Sequence, residues 1–185
     1  MTPDFIQIGF QKCGTTFLEN NVYPTNLNLN VVQAAKHIDL ELTLLKQIIL
    51  PDRLEFDRKY TQYLFNKSYS PFYQKSKTNG IMFEGFTFLY ERRFDRKSVI
   101  ERLKSLFPES KIITFIRSQK TWLLSHYSQY IKSGGLLNLN DFIELQLDNP
   151  SLDSHYIDWY PLIKCLYEIF GKKNVLVCLF EDLNA

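Results

Sequence analysis

Residues 5–18, Phe-Ile-Gln-Ile-Gly-Phe-Gln-Lys-Cys-Gly-Thr-Thr-Phe-Leu, constrain the fold more than any other stretch of the chain. The short apolar run Phe5 to Ile8 reads as a buried strand. Gly9 to Gly14 is a loop, and Thr15 opens a helical pattern. Strand, glycine-bounded loop and helix make a phosphate cradle. The N–H groups of the new helix point at the anion, and its dipole favours negative charge there. An ordinary strand-to-helix turn needs glycines for geometry alone. It does not need a central lysine followed by Gly-Thr-Thr.

The spacing is Gly9-x-x-x-x-Gly14-Thr15-Thr16. An ATP-binding loop places lysine directly after the second glycine. Here Thr15 stands in that position, and Lys12, the loop's one lysine, sits in its middle. It therefore approaches a phosphate from within the loop, as a single point charge.

Further apolar runs predict strands at Ile81–Phe83, Lys111–Ile116 and Val175–Phe180, with a short strand or loop near Val31. Between them, helical spacing predicts helices over 38–50, 52–66, 98–107 with Ser98 as N-cap, 120–133, and a short one capped by Asn140. A kinked or paired helix is expected over 154–170, with Pro161 at the kink or in a first turn. Phe86 to Arg96 reads as a loop dense in aromatics and charge. Alternating strands and helices imply right-handed crossovers. The expected fold is α/β, a P-loop NTPase-like three-layer arrangement with a mainly parallel central sheet and helices on both faces. The 185 residues contain no repeat or linker, so residues 1–185 are expected to form a single domain.

A net charge of +2 is too mild for nucleic acid as main partner, and suits a local basic cleft for a small polyanion. The three cysteines, Cys13, Cys165 and Cys178, have no metal-ligand spacing. Cys165 and Cys178 are expected as buried free thiols in a reducing compartment. No leader or apolar membrane span is evident, so the chain is expected to be cytoplasmic.

In open α/β sheets, ligands bind beyond the carboxyl ends of the strands. There stand Lys12, Glu84, Arg117, and the pair Glu181 and Asp182, which read as caps. Arg117 opens a second constellation, Arg117-Ser118-Gln119-Lys120-Thr121-Trp122-Leu123-Leu124-Ser125-His126-Tyr127. An arginine at a strand end and a serine on the next helix can grip one phosphate, the first with a bidentate fork and the second with a hydroxyl. A nucleoside-triphosphate-hydrolysing fold would end this strand in Asp to hold Mg²⁺. A cationic strand end suits a second phosphate instead, in a metal-independent reaction.

The loop Ile8-Gly9-x-x-Lys12-x-Gly14-Thr15-Thr16-x-Leu18 resembles the 5′-phosphosulfate loop of sulfotransferases that use 3′-phosphoadenosine-5′-phosphosulfate (PAPS). Arg117-x7-Ser125-x-Tyr127 resembles their 3′-phosphate site, in the bacterial branch where x-Gln follows the arginine and Trp-Leu-Leu-Ser-x-Tyr comes after. The commoner pattern has a second arginine at position 122, where this chain has Trp122. Phe83-Glu84-Gly85-Phe86, Tyr130-Ile131-Lys132-Ser133-Gly134-Gly135 and Phe170-Gly171-Lys172-Lys173-Asn174 extend the similarity, which is weakest over 25–80.

The resemblance implies in-line transfer of a sulfuryl group from PAPS to a hydroxyl or amine of a saccharide, lipid or small-molecule acceptor, without a metal. Lys12 would neutralise the leaving 5′-phosphate oxygen. The run Lys12, Cys13, Gly14, Thr15, Thr16 and Phe17 would hold that phosphate, and Arg117 with Ser125 the 3′-phosphate. Glu84 is the first candidate for general base and His37 the second. Two alternatives stand beside this reading. One is a P-loop nucleotide or small-molecule kinase. The other is a truncated, non-catalytic nucleotide-binding relative, since related domains continue past the last expected strand.

Overall fold

The computed structural model describes residues 1–87, 94–148 and 158–184. Five strands form one all-parallel sheet in the order β2-β3-β1-β4-β5, where β1 is Phe5–Ile8, β2 Leu29–Gln33, β3 Thr78–Phe83, β4 Lys111–Ile116 and β5 Val175–Leu179. Short helix α1 (Thr15–Phe17) continues as a wider π turn over Leu18–Val22. Helix α2 (Ile38–Thr43) likewise passes into a π segment, Leu44–Ile49. The remaining helices are α3 (Arg58–Tyr69), α4 (Arg96–Leu106), α5 (Gln119–Lys132), α6 (Leu139–Asp148) and α7 (Tyr160–Phe170).

The connection from β1 to β2 runs one way across the sheet, and every later connection runs the other way. Right-handed crossovers therefore place α1 on one face and α2, α3, α4 and α7 on the opposite face. Ile6, Ile8, Ile81 and Ile112 are fully buried with Leu103 and Leu166, as a doubly covered parallel sheet requires. The P-loop-like α/β arrangement read from the sequence is thus the arrangement found.

Several boundaries differ from the expectation, each for a local reason. Of the two alternatives near Val31, a short strand or a loop, the strand is found, as β2. The helix expected over 52–66 begins only at Arg58, because the Asp52 carboxylate turns the chain back by accepting from the N–H groups of Leu54 and Glu55. The cap of α4 is Asp95, not Ser98: the Asp95 carboxylate accepts from Ser98 N–H at 3.2 Å and from its hydroxyl at 2.6 Å. Asn138 rather than Asn140 caps α6, accepting from Asp141 N–H at 3.0 Å. Pro161 lies in the first turn of α7. Cys165 and Cys178 are half-buried rather than buried. Residues 88–93 of the expected aromatic loop, and 154–157 of the expected helix pair, lie outside the described residues. Among the described residues no helix is long and apolar enough to cross a membrane.

Candidate active site

The loop between β1 and α1 stands at the carboxyl edge of the central strand, flanked by the ends of β3 and β4. Lys12 has φ 62 and Gly14 φ 89, so two left-handed residues turn the chain into α1. For lysine that conformation costs about 1–2 kcal/mol, and surrounding contacts hold it. The Lys12 carbonyl accepts from Arg117 Nη1 at 3.2 Å, and the Gln11 carbonyl accepts from Trp122 Nε1 at 2.7 Å. On the other flank, the buried Thr87 hydroxyl donates to the Gly9 carbonyl at 2.6 Å. The backbone N–H groups of Gly14, Thr15 and Thr16, at the start of α1, have no backbone acceptor among the described residues. Free N–H groups at a helix start, entered through two left-handed residues, make an anion nest.

Side chains divide around that nest. Lys12 is half-buried and its Nζ donates to Gln129 Oε1 on α5 at 3.0 Å. The Thr15 hydroxyl donates to Glu84 Oε1. Burial pushes the Glu84 carboxyl above the usual carboxylate range, while the Thr15 hydroxyl and the Lys12 charge pull the other way. Thr16 is exposed and Phe17 half-buried. Cys13 is fully buried, and burial pushes its thiol up to about 12. It is therefore a protonated packing residue whose backbone alone faces the nest.

Arg117, at the end of β4, is held on three sides. Its guanidinium carbon lies 4.4 Å from the centre of the Phe180 ring, its Nε donates to the Thr121 hydroxyl at 3.1 Å, and its Nη1 reaches the Lys12 carbonyl. Its own carbonyl accepts from Trp159 Nε1 at 2.9 Å. Ser125 is half-buried on α5. Positions 122, 125 and 129 share one helical stripe, and both Trp122 and Gln129 touch the loop. Ser125 lies between them on that loop-facing stripe. His126 stacks on Trp122 with centroids 5.0 Å apart. Burial, then the Lys12 charge, lowers its pKa. Glu181 accepts from Ser118 N–H at 2.9 Å, which holds its carboxyl below the usual range and caps the start of α5.

The structure thus brings Lys12, Thr15, Glu84 and Arg117 together around one loop. It does not bring His37 there. His37 follows β2, two places from β1 in the sheet, and its ring packs on Phe72 at 4.2 Å. It lines a separate cavity of about 300 Å³ with Tyr23 and the Glu19–Lys36 ion pair. Sequence reasoning missed Gln129, Thr87 and Phe180. Only Phe180, an aromatic directly after the last strand, carried a visible signal. Among the described residues no group of three or more His, Cys, Asp or Glu side chains is arranged to hold a metal ion.

Comparison with known proteins adds an independent finding. The family model described as "Sulfotransferase domain" matches residues 2–185. No curated protein matches the sequence. The fold is similar to that of a sulfotransferase from Alicyclobacillus acidocaldarius, with a TM-score of 0.67 at 16% identity, covering 100% of this chain and 75% of the other. It is also similar to mouse sulfotransferase SULT7A1 complexed with PAP, with a TM-score of 0.50 at 16% identity, covering 98% of this chain and 53% of the other.

Proposed function

The chain belongs to the sulfotransferase domain family, a family of transferases, and we propose that it moves a sulfuryl group from PAPS to a hydroxyl or amine of a saccharide, lipid or small-molecule acceptor. The observation that carries this reading is the nest itself. Free N–H groups at the start of α1 stand in a loop that carries one cation, Lys12, and is bonded by a second from another element, Arg117. One cation per phosphate suits a nucleotide with two separated phosphate groups. The mouse neighbour, whose bound PAP is such a nucleotide, supports the same donor.

The donor supplies the sulfuryl group and a phosphate leaving group; the chain supplies position and charge. The nest N–H groups and the Thr16 hydroxyl hold the 5′-phosphate. Lys12 keeps its positive charge beside the leaving oxygen, where negative charge grows as the bond to sulfur breaks. Arg117 and Ser125 hold the 3′-phosphate and fix the distance between the two ends. Glu84 takes the acceptor's proton. Its burial makes it a stronger base than an exposed carboxylate, closer to neutrality where general bases work best. Arg117 at the β4 end, in place of an acid, makes this a metal-independent site.

The test is sulfuryl transfer from radiolabelled PAPS to a panel of sugar, phenol and amine acceptors in excess EDTA. Product is expected with the wild-type protein, and Lys12→Ala should lower turnover at least about a hundredfold. Turnover that instead requires Mg-ATP would make the chain a kinase.

A further inference from the structure

We propose that Gln129 is a positioning residue for Lys12, holding its ammonium at the loop as a fixed, un-neutralised cation. The proposal rests on the two-phosphate reading of the loop above. Gln129 is 117 residues away from Lys12 in sequence, yet its Oε1 accepts from Lys12 Nζ at 3.0 Å. An ammonium has three N–H donors. One is spent on Gln129, and two remain for a phosphate. The acceptor is neutral, so the positive charge survives the contact. A carboxylate in the same position would orient the lysine equally well but cancel the charge it has to deliver. The carboxylate at this loop, Glu84, is instead engaged by the Thr15 hydroxyl.

The helix that carries Gln129 is itself fixed to the loop. Trp122, seven residues earlier on the same stripe, donates to the Gln11 carbonyl, and Arg117, just before α5, donates to the Lys12 carbonyl. Backbone and side chain of Lys12 are therefore both referenced to one β4–α5 unit. A lysine on a flexible four-carbon stem would otherwise lose its rotamer freedom at the moment of binding. Ser125 lies on the same stripe. The residue assigned to one end of the nucleotide and the residue that aims the cation at the other end thus move as one rigid helix.

Calorimetric titration of the full chain with PAP and with adenosine 3′-phosphate, which lacks the 5′-phosphate, tests this. Gln129→Leu should weaken PAP about tenfold, a fraction of a hydrogen bond to a charged group, and leave adenosine 3′-phosphate within about twofold. Combined with Lys12→Ala it should add nothing, because the glutamine acts through the lysine. Wild-type PAP affinity in Gln129→Leu, or additive losses in the double variant, overturns the proposal. Acetylation of Lys12 by acetic anhydride, read by mass spectrometry in the ligand-free protein, tests the tether without any nucleotide. The tether holds Nζ against α5 and restricts its approach to the reagent, so Gln129→Leu should speed the reaction about threefold and Gln129→Glu, which grips the ammonium by a charge-assisted bond, should slow it. Equal rates in all three proteins overturn the tether. A wild-type protein that binds no PAP, with these rates shifted as expected, would remove the donor reading and the positioning role with it, while leaving the contact established.

Discussion

Gly14→Ala separates two costs that the loop imposes on its second glycine. The first is conformational: at φ 89 an alanine pays about 1–2 kcal/mol for the left-handed backbone. The second is packing. A Cβ at Gly14 would lie 2.7 Å and 2.8 Å from Cδ2 and Cε2 of Phe180, and 3.2 Å from Leu183 Cδ1. Phe180 cannot simply move aside, because its ring lies beneath the Arg117 guanidinium. Overpacking of this kind costs about 1–3 kcal/mol, for a total of about 2–5 kcal/mol. Gly134 provides the control. Its φ is 90, but a Cβ there meets nothing within 4 Å. Gly134→Ala should therefore lose only the conformational part, about 1–2 kcal/mol. Urea denaturation followed by circular dichroism measures both. At about 2–4 °C per kcal/mol for a chain of this size, Gly14→Ala should also melt about 2–12 °C below Gly134→Ala. Equal losses at the two glycines would refute the packing of Phe180 against the loop, and with it the support of Arg117.

Other consequences follow from single contacts. Thr87→Val keeps the shape but strands the Gly9 carbonyl in a buried position, and should cost about 1–3 kcal/mol by the same denaturation assay. The Asp95 carboxyl is lowered to about 2 by the Ser98 hydroxyl and N–H bonds and by Arg53. Its contribution is full above the unfolded value near 4 and is lost as pH falls from about 4 to 2. The group is largely exposed, so screening limits the contribution to about 1 kcal/mol, which Asp95→Asn should abolish in melts across that window. Glu84 already sits above the usual carboxylate range, and a phosphate anion in the nest raises it further. PAP binding should then take up a proton and weaken as pH rises through the Glu84 titration. Calorimetry in buffers of different ionisation enthalpy reads this directly, and Glu84→Gln should remove the effect.

The sequence made the loop and the buried strands legible because their signals are contiguous. Phe5 to Ile8 and Lys111 to Ile116 are near-continuous apolar runs, and Gly9, Lys12 and Gly14 lie within six residues. Asn79-Gly80 is hard to read for the opposite reason. The pair has the appearance of a turn but belongs to β3. Asn79 is buried, with its amide donating to the carbonyls of Gln74 and Lys77. Gly80 is required because the Phe5 ring lies where its Cβ would stand, 2.2 Å away. β2 was equally obscured, since Asn30 breaks its apolar pattern while bonding Asn79 and the Phe72 carbonyl across the structure. Ser98 resembled a cap because it follows two charged residues, yet the longer-reaching Asp95 bonds both its N–H and its hydroxyl. Within the site, Lys12, Glu84 and Arg117 could be placed from strand ends alone. Gln129 could not, because its role depends on a contact 117 residues long in sequence and on how α5 is turned.

The central claim is a clamp for two phosphates, one held at the β1 loop and the other at the end of β4. Calorimetric titration with PAP and with Mg-ATP, on the wild-type chain and on Lys12→Ala and Arg117→Ala, tests it most directly. The account predicts that PAP binds the wild type and that each substitution weakens it about ten- to a hundredfold, the worth of a charge-assisted hydrogen bond. Binding of Mg-ATP without PAP, or undiminished PAP binding in both variants, would contradict it.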